Sequence, residues 1–129
     1  MSINLNLSLV EGRLVREPDI YYTKNGAAVC KFDIAVNFFS KMSDKKVEEV
    51  SFIGVNVWNK LAEACGKYLK KGAMVRVKGR LKQDKWTDKD GQTRSKVYIE
   101  GSSVDFLNTF NNEADKKNEA DKKQEKLSA

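Results

Sequence analysis

The chain has no histidine, only two cysteines, one proline, and no apolar run long enough to cross a membrane. Each shortage excludes something. Two thiols without a histidine do not complete a zinc site. Cys30 and Cys65 stand far apart in apolar-patterned stretches, so both read as reduced core residues, and no disulfide framework is expected. No convergent carboxylate cluster and no glycine-rich phosphate loop between strand and helix is present, which leaves an active site without starting material. Asp84, Asp88 and Asp90 read as part of a solvated hairpin turn. No enzymatic activity, metal or cofactor is therefore expected. The start, MSINLNLSL, lacks the basic segment and long apolar core of a secretion signal, so a cytoplasmic chain with no membrane partner is the expectation.

What is abundant is positive charge, unevenly placed. The net charge is +6, while residues 108–129 hold five acidic and five basic side chains. The excess therefore belongs to residues 1–107. Within residues 67–96, eleven Lys or Arg face three Asp or Glu. Such a concentration points to a polyanionic partner, nucleic acid before membrane, with a merely solvated basic surface as the alternative. The last 22 residues repeat "NEADKK" at 112–117 and 118–123 and are almost devoid of apolar groups after Phe110. They are expected to form a disordered tail, 108–129, following one domain at 1–107.

Before that boundary, hydrophobic period two dominates. Leu5, Leu7 and Leu9 take alternate positions of a strand over 5–16, which Pro18 closes. "KNG" at 24–26 marks a hairpin turn. A second strand follows at 28–38, with Cys30, Phe32, Ile34, Val36 and Phe38 on one face, then a polar loop at 40–49 and a third strand at 50–58. Residues 60–71 change period: Leu61, Ala62, Cys65, Tyr68 and Leu69 fall on one helical face, with Gly72 suited to the C′ position. Two strands at 73–86 and 94–105 flank the turn "DKDG" at 88–91. One helix between the third and fourth of five strands predicts an all-β, five-stranded Greek-key OB-fold barrel. A three-plus-two sandwich with a packed helix is the alternative.

Strand parity then turns large rings away from the core. In the fourth strand Val75, Val77, Gly79 and Leu81 alternate with Arg76, Lys78, Arg80, Lys82, Asp84 and Trp86, so Trp86 shares its face with four cations. A bulge at Gly79 would reverse that parity beyond it. In the third strand Ile53, Val55 and Val57 face inward, leaving Phe52, Gly54, Asn56 and Trp58 on the other side. Phe39, with Lys31 and Asn37, has the same outward parity in the second strand. An exposed aromatic forgoes about 1.5–3 kcal/mol of burial. Unpaired bases offer compensation, because stacking on an aromatic side chain is worth about 1–3 kcal/mol per base, a general figure for single-strand binders. Rings for bases and cations for phosphates make a surface that holds single strands without reading sequence. A lid on the core or a subunit interface is the other use for such rings.

The stretches "VEGRLVREPDIYYTKNGAAVCKFDIAV", "FIGVNVWNKLAEACGKYLKKGAMVRVKGRL" and "KWTDKDGQTR", running from about residue 9 to 104, resemble the bacterial single-stranded-DNA-binding proteins. That resemblance implies an OB-fold, a homotetramer, and wrapping of single-stranded DNA in replication, recombination and repair near the nucleoid. Carried over by position, the family's stacking rings match Phe52, Trp58 and Trp86. Its second-strand tryptophan aligns near Ser40, where Phe39 is the neighbouring ring. The expected phosphate contacts are Lys31, Arg76, Lys78, Arg80, Lys82, Lys85, Arg94 and Lys96. Two departures stand out. Ile53 occupies a position where many members carry histidine near a subunit contact, and the chain ends "KKQEKLSA" rather than in an acidic, phenylalanine-ended tip. Recruitment of repair proteins through such a tip is therefore not expected. An accessory interaction module of primosome type, or an RNA-binding domain on the same framework, is the competing reading; such relatives need fewer stacking rings.

Overall fold

A computed structural model describes residues 2–42 and 44–107; the tail expected over 108–129 lies outside the described residues. Six strands and one helix follow in the order β1 (Ser8–Leu14), β2 (Asp19–Tyr22), β3 (Ala28–Met42), β4 (Lys45–Trp58), α1 (Asn59–Tyr68), β5 (Met74–Thr87) and β6 (Thr93–Leu107). Pairing runs β1–β5–β6–β4–β3, and β3 pairs back onto β1 at Arg13–Ala35 and Leu14–Ile34, so five strands come round a ring. All of these pairs are antiparallel except β4–β6. These are the five strands expected from the sequence. The sixth, β2, hangs on the edge of β3 from Asp19–Lys31 to Tyr22–Ala28.

The ring closes because its strands each turn an apolar face inward over the stretch around the core. Ile34 of β3, Val55 and Val57 of β4, Val75 and Val77 of β5 and Ile99 of β6 are almost fully buried together. Burying a side chain of this size is worth about 1.5–3 kcal/mol. The helix covers this core with Ala62 and Cys65, and with Leu69 just beyond its end, while Tyr68 packs edge-on against Phe106. Gly66 is on the helix because β2 crosses there: a Cβ would stand 2.9 Å from Ile20 Cδ1. Both cysteines are free and buried.

A bulge is present, but not where it would disturb β5. Lys78 faces Ser103 while Gly79 faces Gly101, so the surplus residue, Ser102, belongs to β6. Parity therefore continues unbroken along β5 and switches on β6, where Ile99 points inward before the bulge and Val104 and Phe106 after it. Gly79 serves another purpose. A Cβ at this position would fall on the Glu100 carbonyl oxygen, so the close approach of β6 requires glycine.

Several sequence expectations are corrected. In place of the loop expected over 40–49, residues 40–42 and 45–49 are strand: β3 and β4 stay paired as far as Met42–Lys45, because the ladder begun in the core propagates through polar residues. Strand β1 is confined to 8–14, and Leu5, Leu7 and Leu9 are exposed while Leu14 is buried. The helix ends at Tyr68, not 71, and its C-cap Leu69 is already extended. Gly72 (φ 88°) accordingly lies in the turn that returns the chain to β1, where its N–H donates to the Leu14 carbonyl at 2.9 Å. Phe38 and Leu81 have inward parity but are exposed, since both hairpins continue past the core.

Candidate nucleic-acid interface

The outer face of the ring is built from cross-strand rows. Directly paired residues put their side chains on the same face. One row is Tyr21, Val29 and Trp58 across β2, β3 and β4. The next runs Asp19, Lys31, Asn56, Glu100 and Arg80 across β2, β3, β4, β6 and β5. Phe52 pairs with Ala35 and Phe39 with Glu48 on the β3–β4 hairpin. On the β5–β6 hairpin, Lys82 pairs with Tyr98, Asp84 with Lys96 and Trp86 with Arg94. The two hairpins meet where β4 lies beside β6 at Asn56–Glu100.

All four rings singled out in the sequence keep open surface: Phe39 70%, Phe52 66%, Trp86 47% and Trp58 39% exposed. Trp58 owes its position to an abrupt change of backbone. It is the extended N-cap of α1 (φ −128°, ψ 157°), and Asn59 starts the helix at φ 58°, a left-handed value that asparagine tolerates better than most residues.

The cations are distributed differently from the simple stripe that their spacing in the sequence implies. Lys31, Arg76, Lys78, Arg80, Lys82, Arg94 and Lys96 share the outward parity of the rings, but Lys85 pairs with Ser95 on the opposite face of its hairpin from Trp86. Arg76 lies ten residues from Trp86 along β5, roughly 33 Å, and is not brought near it. Four of the cations are already engaged. Arg76 grips Glu11 through Nη2 and through Nε at 2.6 Å. Arg80 and Lys82 donate to the two oxygens of Glu100 at 2.9 and 3.3 Å. Arg94 Nε donates to Asp88 Oδ2 at 2.6 Å, while Asp88 Oδ1 accepts from the Asp90 and Gln92 amides. The hydrogen bond from Arg80, with Lys82 adding to it against partial burial, holds Glu100 below the usual carboxylate range. The hydrogen bond from Arg94 does the same for Asp88.

Sequence reasoning missed Glu11 and Glu100 because only strand register joins them to Arg76, Arg80 and Lys82, and it read Asp88 as a solvated turn residue without its bond from Arg94. It also missed Tyr98, whose hydroxyl donates to Asp84 Oδ1 at 3.3 Å, and Lys41, Lys45 and Lys46 at the end of the β3–β4 hairpin. Among the described residues no group of His, Cys, Asp or Glu is arranged to hold a metal ion. The arrangement offers open π-faces beside cations, some free and some held by exchangeable carboxylate partners.

Comparison with known proteins gives the same face a context. The family model for the single-strand binding protein family matches residues 5–107. A single-stranded DNA-binding protein of Treponema pallidum is 39% identical over 104 residues, covering 81% of this chain and 58% of that protein. One from Oceanobacillus iheyensis is 42% identical over 106 residues, covering 81% and 65% respectively. The chain thus spans less than two thirds of the length of these two relatives. Among solved structures, a Plasmodium falciparum SSB in complex with ssDNA superposes with a TM-score of 0.78 at 27% identity, covering 84% of this chain and 99% of that one. The chain belongs to the single-strand binding protein family.

Proposed function

We propose that this protein binds single-stranded DNA without sequence preference, stacking bases on Phe52, Trp58 and Trp86, with Phe39 as a fourth ring, and drawing phosphates to the surrounding cations. The observation that carries the reading is the exposure of those rings on the polar face of a chain in this family. Stacking suits any base, whereas a duplex hides its π-faces. Lys31, Lys78 and Lys96 are the first phosphate contacts, and Arg80, Lys82 and Arg94 join by exchanging a carboxylate for a phosphate. Arg76 and Lys85 have more distant or opposite placements and would serve strand segments beyond the rings. The five-stranded ring with its helix is read as the OB-fold barrel of the family, acting as a binding protein rather than an enzyme.

Assembly into a homotetramer belongs to the same proposal. Ile3, Leu5, Leu7 and Leu9 are exposed on one stretch, an apolar surface of the kind that other subunits cover. Protection of single strands in replication, recombination and repair, in the cytoplasm at the nucleoid, is the corresponding role. No helix among the described residues is long and apolar enough to cross a membrane. Tryptophan fluorescence during titration with oligo-dT tests the reading. Strong quenching by oligo-dT, with little by a duplex of equal length, is expected. Equal response to both, or none to oligo-dT, contradicts it.

A further inference from the structure

One ring on the binding face has no part in the reading above. Tyr21 of β2 pairs with Val29, and Val29 pairs with Trp58, so the three side chains form a row across three strands. Val29 is only 1% exposed, although its parity is outward and it does not belong to the packed core cluster. It is covered on the outer face, between two aromatic neighbours. Those neighbours are themselves open: Tyr21 retains 43% of its surface. Lys31, one step along β3 on the same face, places Nζ 5.4 Å from the centre of the Tyr21 ring. Two open rings thus flank an enclosed valine in one cross-strand row, with a cation beside the outer ring.

The dimensions suit a nucleic-acid strand. Two antiparallel strand spacings separate the Tyr21 and Trp58 backbones, about 10 Å. That is about three base steps at the 3.4 Å rise of a stacked strand, and fewer in an extended one. Asp19, the acid nearest on β2, lies opposite Lys31, but Lys31 turns towards the Tyr21 ring, and no ion pair joins the two. The Tyr21 side chain also holds the Lys31 ammonium above its ordinary pKa, so the cation stays charged at any pH of interest.

We propose that Tyr21 is a further base-stacking subsite: an unpaired base of single-stranded DNA lies on the open side of its ring, and the adjoining phosphate meets Lys31. The subsite extends the binding path from Trp58 to the outer edge of the sheet and rests on the reading of Trp58 as a stacking ring. Charge decides for this occupant, since a cation beside two exposed rings suits a polyanion carrying π-faces better than a second copy of a basic chain.

The full-length chain is cross-linked to oligo-dT carrying 5-iodo-deoxyuridine, and the modified peptides are mapped. Affinities for plain oligo-dT are measured for Tyr21→Ala, Tyr21→Phe and Trp86→Ala, with light-scattering mass for each. A cross-link at Tyr21 is expected, with roughly 5- to 150-fold weaker binding by Tyr21→Ala, binding within about twofold of wild type by Tyr21→Phe, and unchanged mass. Wild-type affinity in Tyr21→Ala and no cross-link at Tyr21, alongside weakened Trp86→Ala, overturns the subsite and leaves the broader reading standing. If Trp86→Ala also binds as wild type, the broader reading falls with it. A changed mass in Tyr21→Ala with unchanged affinity per subunit assigns the ring to a contact between copies, which also overturns the proposal.

Discussion

Asn59 shows how much one residue's backbone decides. At φ 58° it turns the end of β4 into α1 within a single residue, and so leaves Trp58 on the outer face. A β-branched residue suffers most in the left-handed region, where the penalty is about 1–2 kcal/mol for an ordinary side chain. Asn59→Val is therefore expected to lower the urea unfolding free energy by about that amount, and Asn59→Gly to leave it nearly unchanged. The cysteines give a second residue-scale expectation. Burial pushes the Cys30 thiol up to about 11 and Cys65 to about 12, so both are protonated and enclosed at neutral pH. Because the folded values lie above an unfolded value of about 8.5, their contribution is complete below that pH. It is lost as pH rises towards the folded values. A thiol reagent at pH 8 should leave both unmodified in the native protein and react with two thiols in urea, and stability should decline above about pH 9. Rapid native labelling at pH 8 would contradict the burial.

The two hairpins are where reading by sequence succeeded and failed. In β5, alternation of Val75 and Val77 with Arg76 and Lys78 was legible because the two faces meet different surroundings. The same alternation correctly turned Phe52, Trp58 and Trp86 outward. The strand β2 was not legible: DIYY is four residues long and exposed throughout, with no alternation to detect. The outer ends of β3 and β4 are not legible as strands because Lys41–Met42 and Lys45–Glu49 lack an apolar face, while their strand geometry is inherited from the ladder behind them. Cross-strand ion pairs are a property of register between distant segments, which no single stretch records. Glu100 makes this testable. Glu100→Gln releases the charge that Arg80 and Lys82 now share, so oligo-dT affinity at low salt should rise and the salt slope steepen by about 0.7 for each cation freed to meet a phosphate. Unchanged affinity and slope would remove Arg80 and Lys82 from the binding path. Gly79→Ala tests the crossing itself. Its Cβ meets the Glu100 backbone, so a loss of about 1–3 kcal/mol of stability is expected from chemical denaturation.

For the whole molecule, the positive excess counted along the sequence overstates what a ligand meets. Among the eight proposed phosphate contacts, Arg76, Arg80, Lys82 and Arg94 each hold a carboxylate, leaving Lys31, Lys78, Lys85 and Lys96 without an ion pair among the described residues. The four unpaired cations imply a log–log salt slope of about −3 per chain for oligo-dT, to which Arg80, Lys82 and Arg94 add at most about 0.7 each where they exchange a carboxylate for a phosphate. The rings must then supply much of the affinity that remains at high salt. The measurement that tests this most directly is the oligo-dT affinity of Trp58→Ala and Trp86→Ala beside the wild type at one fixed, near-physiological salt concentration, with thermal unfolding of each followed in parallel. Each substitution is predicted to weaken binding by about 1–3 kcal/mol while unfolding stays cooperative at nearly the wild-type temperature. Wild-type affinity in both variants would contradict the account, because the outward rings would then have no role in holding the strand.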